Sequence, residues 1–141
     1  MAARCNFRCK YCYGDYANRR QELIATEEAL KLLDELADWG MQYLQLSGGE
    51  PLMFPGVEQL VDRACARGIC LGISTNGSLI PAKINVVKKL QTVCISLDGD
   101  EATHDANRGK GTYRQAMTGL EAARQAGVRV HIYCTVTRHN V

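Results

Sequence analysis

Four times along this chain a helical stripe runs into a short strand candidate and then a polar loop, with Gly40, Gly68 and Gly127 marking helix ends. Thr26 reads as the first N-cap, with Glu27 and Glu28 in the opening turn where the helix dipole favours acids. Ala29, Leu32, Leu33 and Leu36 follow at helical spacing. Further helices are predicted over residues 56–67, over about 81–90 with Pro81 in the first turn, and over 112–125 with Thr112 as cap. Strands are predicted over 41–47, 69–75, 92–97 and 128–137, and residues 98–111 read as a polar loop. Alternating units of this kind predict an α/β fold, a parallel sheet with helices packed on it. The units are too irregular in length for a solenoid.

Strand parity adds a second constraint, because successive side chains point to opposite faces. Leu44 and Leu46 oppose Tyr43, Gln45 and Ser47; Leu71, Ile73 and Thr75 oppose Gly72, Ser74 and Asn76. Val93, Ile95 and Leu97 oppose Cys94, Ser96 and Asp98, while Val130, Ile132, Cys134 and Val136 oppose His131, Tyr133, Thr135 and Thr137. Parallel strands covered on both faces usually read apolar throughout. Here one face is apolar and the other is small or polar towards the strand ends. That suits a barrel or half-barrel with a polar lumen and a site at the C-terminal ends of the strands. A sheet wetted on one side is the plainer alternative.

Ahead of these units stand Cys5, Cys9 and Cys12, spaced C-x3-C-x2-C, and the next cysteines, Cys65 and Cys70, lie far along the chain. Thiolates are soft ligands for iron–sulfur clusters or zinc. Three thiolates on a four-iron cluster leave one iron open to a small molecule, whereas structural zinc wants a fourth Cys or His close by. Spacing alone leaves a cluster, zinc or redox cysteines, and chance all standing. Seven cysteines in 141 residues would suggest disulfides in a secreted protein. No signal peptide precedes them and no apolar run nears membrane-spanning length, so reduced cysteines in the cytoplasm are expected. A formal charge of +2 argues neither for nor against nucleic acid, and neither a nucleic-acid nor a membrane partner is expected.

C-x3-C-x2-C followed by the aromatic Tyr13 resembles the radical S-adenosylmethionine (SAM) superfamily, and Gly48-Gly49-Glu50-Pro51 and Ser74-Thr75-Asn76-Gly77 match further motifs in order. Ser96-Leu97-Asp98-Gly99, with Arg108 twelve residues past Ser96, is similar to the SPASM/twitch subgroup that matures peptides and proteins and carries auxiliary clusters. The resemblance implies a six-strand partial (β/α) barrel of which about four strands are present. Residues 1–141 are then a core fragment without the first strand, the last strand and the C-terminal auxiliary-cluster region. It implies a [4Fe-4S] cluster on Cys5, Cys9 and Cys12 with SAM on the open iron. Glu50 is implied to contact the methionine ammonium, with Gly48 and Gly49 allowing close approach. Ser47, Ser74 and Ser96 are placed to reach ribose or methionine and Asn76 closes its strand. Arg108 is the guanidinium for the methionine carboxylate, and the backbone near Tyr11 meets adenine.

The implied reaction is one-electron reduction of SAM to methionine and a 5′-deoxyadenosyl radical, which takes a hydrogen atom from a peptide, protein or cofactor-precursor substrate. An electron donor such as flavodoxin or ferredoxin is implied as partner. No side chain beyond the cluster and SAM site is expected to be catalytic. An incomplete barrel exposes strand edges, which predicts self-association and a fragment inactive on substrate alone. The rival reading is an iron–sulfur binding module without catalysis of its own. Cys65, Cys70, Cys94 and Cys134 read as core or lumen thiols, Trp39 as a packing residue, and His104 and Asp105 as unplaced acid–base candidates.

Overall fold

The structure, a computed structural model, describes residues 4–14, 16, 24–138 and 140. Among these, four strands, β1 (Tyr43–Leu46), β2 (Cys70–Thr75), β3 (Thr92–Ser96) and β4 (Arg129–Tyr133), are all parallel and lie in the order β1-β2-β3-β4. Each crossover therefore adds its strand on the same side as the last. A doubly wound sheet reverses that order; a barrel does not. The arrangement is that of a partial (β/α) barrel.

Around the strands run α1 (Thr26–Asp38), α2 (Val57–Ala66), α3 (Ile84–Val87), α4 (Glu101–Arg108) and α5 (Thr112–Gln125). The register puts Leu46, Ile73, Val93 and Val130 on one rung facing the helices. Leu33, Val57, Leu60, Val61, Val87, Ala116 and Ala123 close over that face at 1% exposure or less. Each buried Leu or Val contributes on the order of 1.5–3 kcal/mol, so this layer holds the strands in place. On the opposite face the rungs read Gln45–Gly72–Thr92–Arg129, then Ser74–Cys94–His131, then Ser96–Tyr133. Parity therefore separates the two faces as expected.

Several local expectations change. Ala25 holds the extended N-cap position of α1, and its N–H donates to Glu28 Oε2 at 3.3 Å, so Thr26 is the first helical residue. The third helix shrinks to a 3-10 turn, Pro81–Lys83, followed by the single turn of α3. The polar loop 98–111 contains α4, whose N-cap Asp100 accepts the Thr103 N–H at 2.8 Å. Thr112 does not cap α5; Gly111 takes the cap at φ +80°, and the Asp105 carboxylate accepts the N–H groups of Gly111 and Tyr113 at 2.5 and 2.8 Å. That bonding gives Asp105 a structural task and holds its carboxyl below the usual range. Trp39 is 81% exposed, and of the four later cysteines only Cys94 is buried. Ile132 on β4 and Val136 beyond it are exposed as well. Between the cysteines and α1, residues 15 and 17–23 lie outside the described residues.

Candidate functional site

The strands end together, and the chain beyond each of them bends over the lumen. After β1 it passes through Gly48 at φ +140°, a conformation that only glycine adopts without strain. It continues into Glu50, which caps a 3-10 turn, Pro51–Met53. After β2 comes Asn76 and then Gly77 at φ +85°, pressed against the backbone of Ala116 in α5. A side chain on Gly119 would collide with the Gly77 carbonyl, so α5 sets the height of this turn. After β3, Asp98 leads into α4.

The cysteine loop lies across these ends and is bonded to them at several points. Glu50 N–H donates to the Arg4 carbonyl at 2.8 Å, and Lys10 N–H to the Asn107 carbonyl at 2.9 Å. Asn76 Nδ2 donates to Asn6 Oδ1 at 2.8 Å and lies 3.9 Å from Cys5 Sγ, which also accepts the Phe7 N–H at 3.4 Å. The Tyr11 hydroxyl donates to Asp98, and the Arg108 guanidinium stands 5.4 Å from the Tyr11 ring centroid. Phe7 is the loop's buried apolar residue, 6% exposed.

Loop and strand ends enclose a cavity of about 360 Å³, within the range of about 300–1,000 Å³ usual for small-molecule sites. Cys5, Cys9 and Cys12 border it, and so do Ser47, Gly48, Gly49, Ser74, Asn76, Ser96, Tyr11 and Arg108. Thus the three proposed metal ligands and eight of the nine proposed cofactor contacts share one cavity. The ninth, Glu50, is fully buried and does not border it. Its carboxylate accepts from Leu52 N–H at 3.1 Å, Thr75 Oγ1 at 2.8 Å and Asn76 N–H at 2.8 Å. Burial raises its pKa, and those three bonds offset the rise only in part.

Phe7, Tyr13, Tyr16, Thr75 and Thr135 also border the cavity without having been assigned a ligand role. Thr135 was legible from parity, standing with His131 and Tyr133. Thr75 was not, because parity assigns it to the helix side. Its hydroxyl is drawn to Glu50 at the strand tip, where pleat alternation ends. His104 is fully buried away from this cavity; its Nδ1 accepts the Asp98 N–H at 3.2 Å, and burial lowers its pKa. It is therefore a neutral packing histidine at the Asp98 turn.

The donor set fits an iron–sulfur cluster. All three thiols are free and half-buried. Burial pushes the Cys5 and Cys9 thiols up, with neighbouring cysteines adding to the rise; metal binding reverses such a rise by fixing the thiolate. No group of three or more His, Cys, Asp or Glu among the described residues could hold a single metal ion. A cluster places each thiolate on a different iron, so its ligands need not converge on one point. Zinc does need that convergence.

Residues 1–140 match the radical SAM superfamily. The chain belongs to this family. The family is one of enzymes, and membership implies SAM with an iron–sulfur cluster. The chain is 36% identical over 148 residues to the Fe-coproporphyrin III synthase of Methanosarcina barkeri, covering 100% of this chain and 37% of that protein. It is 35% identical over 144 residues to the mycofactocin maturase of Mycolicibacterium smegmatis, covering 97% of this chain and 36% of that one. The chain therefore spans well under half the length of these relatives. The fold matches Streptococcus suis SuiB bound to S-adenosylmethionine, with TM-score 0.83 and 22% identity over 97% of this chain and 33% of that one. It also matches anSMEcpe with bound AdoMet, with TM-score 0.83 and 22% identity over 96% and 40% of the two chains. Among the described residues, no helix is long and apolar enough to cross a membrane.

Proposed function

We propose that this chain is the SAM-binding core of a radical SAM maturase, with Cys5, Cys9 and Cys12 holding a [4Fe-4S] cluster. One observation carries the reading: three free thiols and the ends of three strands meet on one cavity of about 360 Å³. When bound, the cluster supplies the electron that splits SAM reductively to a 5′-deoxyadenosyl radical for hydrogen abstraction. The protein's own residues bind and orient. Gly48 and Gly49 present backbone without a Cβ to the methionine end, and Ser47, Ser74, Ser96 and Asn76 offer polar groups to ribose and methionine. Arg108 meets the carboxylate, and the Tyr11 backbone meets adenine. The rival reading, a binding module without SAM chemistry, leaves the polar wall of strand ends without a task.

The relatives include an Fe-coproporphyrin III synthase and a mycofactocin maturase, and SuiB has been seen bound to the precursor peptide SuiA. These support a peptide, protein or cofactor-precursor substrate; a flavodoxin- or ferredoxin-like electron donor and a place in the cytoplasm belong to the same proposal. The β4 edge, with Ile132 at 46% and Tyr133 at 54% exposure, supports strand pairing between copies of this chain. A monomer in analytical ultracentrifugation at high concentration overturns that pairing.

The test of the main reading is anaerobic reconstitution with iron and sulfide, reduction, and electron paramagnetic resonance before and after SAM. The expected result is a reduced [4Fe-4S] signal that shifts with SAM and is lost in Cys9→Ala. A cluster signal indifferent to SAM overturns the reading in favour of the binding module.

A further inference from the structure

Arg108 closes α4 with its side chain almost wholly buried, yet it still borders the cavity. Its Nε and Nη2 donate to Asp98 Oδ2 at 2.7 Å and Oδ1 at 3.0 Å. This bidentate pair occupies one edge of the guanidinium fork. Nη1 has no partner among the described residues.

Asp98 is fully buried and does not border the cavity. Besides Arg108 it accepts from the Tyr11 hydroxyl and from the Thr135 N–H at 3.1 Å. Its own N–H donates to His104 Nδ1, and its carbonyl accepts Asn140 Nδ2 at 2.9 Å. One residue thus joins the cysteine loop, the exit of β3, α4 and the segment after β4. Tyr11 and Thr135 share the carboxylate's charge, so Arg108 is fixed in place without being fully neutralised. An unanchored arginine carries rotamer entropy that binding would have to remove. An anchored one has lost it already.

We propose that Asp98 is a positioning residue for ligand recognition. By occupying the Nε/Nη2 edge of Arg108 and the Tyr11 hydroxyl, it aims the open Nη1 side into the cavity, towards the carboxylate of SAM. This rests on the reading that the cavity binds SAM. Asp98 itself never touches the ligand.

The experiment is equilibrium dialysis of the anaerobically reconstituted chain against SAM and against decarboxylated SAM, which lacks only the carboxylate. In Asp98→Asn the affinity for SAM falls about tenfold or more, while affinity for decarboxylated SAM and cluster absorbance stay unchanged. Asp98→Glu, which keeps the charge but displaces it by one methylene, shows a smaller loss confined to SAM; this variant decides if Asp98→Asn does not fold. Equal losses for both ligands would mean a general structural role and overturn the proposal, as would no loss for either. Wild-type chain that binds SAM and its decarboxylated form equally overturns the proposal while leaving the SAM site standing. Wild-type chain that binds neither removes the SAM reading, and the proposal with it.

Discussion

Glu50 and Asp98 stand behind the same cavity, both fully buried and both reached at the end of a strand, in opposite electrostatic surroundings. Glu50 has only neutral donors, from Leu52, Thr75 and Asn76, and burial raises its pKa. At Asp98 burial also acts upwards, but Arg108, Tyr11 and the Thr135 amide outweigh it, and its pKa is lowered. Glu50 fastens the loop after β1 to the tip of β2 through two backbone N–H groups and the Thr75 hydroxyl. Asp98 binds another side chain that itself faces the cavity. The buried carboxylate without a counter-charge ties loop to strand tip, whereas the one with a counter-charge fixes a side chain that borders the cavity.

The largest expected effect is in Asp98→Ala, which leaves Arg108 buried and uncompensated. Breaking a buried pair from one side costs about 3–5 kcal/mol, and urea denaturation should show a loss of that size. Glu50→Gln should cost less, about 1–2 kcal/mol, because the amide keeps part of the hydrogen bonding and removes a charge that burial disfavours. A larger loss in Glu50→Gln than in Asp98→Ala breaks the comparison.

Acid titration sharpens it. Asp98, with its depressed pKa, contributes stability that is present above the ordinary aspartate value of about 3.9 and is lost as pH falls through its folded value. Glu50, with its raised pKa, contributes stability present below the ordinary glutamate value of about 4.3 and lost as pH rises through its folded value. Denaturation midpoints measured between about pH 2 and pH 8 should therefore flatten at the acid end in Asp98→Asn, and at the higher end in Glu50→Gln. Identical profiles in the two variants contradict the assignment. The smallest effect belongs to Tyr11→Phe, which removes one hydroxyl bond but keeps a ring beside Arg108; a loss of about 0.5–1.5 kcal/mol is expected.

The fold was largely legible because its signals are local. The apolar stripe Ala29–Leu33 and the alternation Leu71-Gly72-Ile73-Ser74 need no distant partner to be read. The helix α4 escaped because residues 101–108 are almost entirely polar, so hydrophobic periodicity has nothing to register. Asp100 at its N-cap was the available signal. Asp98 was visible in the Ser-Leu-Asp-Gly motif, but its partners at positions 11, 108 and 135 lie in three other segments.

Sequence by itself determined the parallel βα order, the faces of the strands and the three thiols, since periodicity, glycine positions and cysteine spacing are properties of neighbouring residues. Only the tertiary structure decided which polar residues face the cavity and which stand behind it. That choice separates Arg108 from Asp98, and Asn76 from Glu50. It depends on where buried charges find donors, and those donors come together only when the cysteine loop closes over the strand ends.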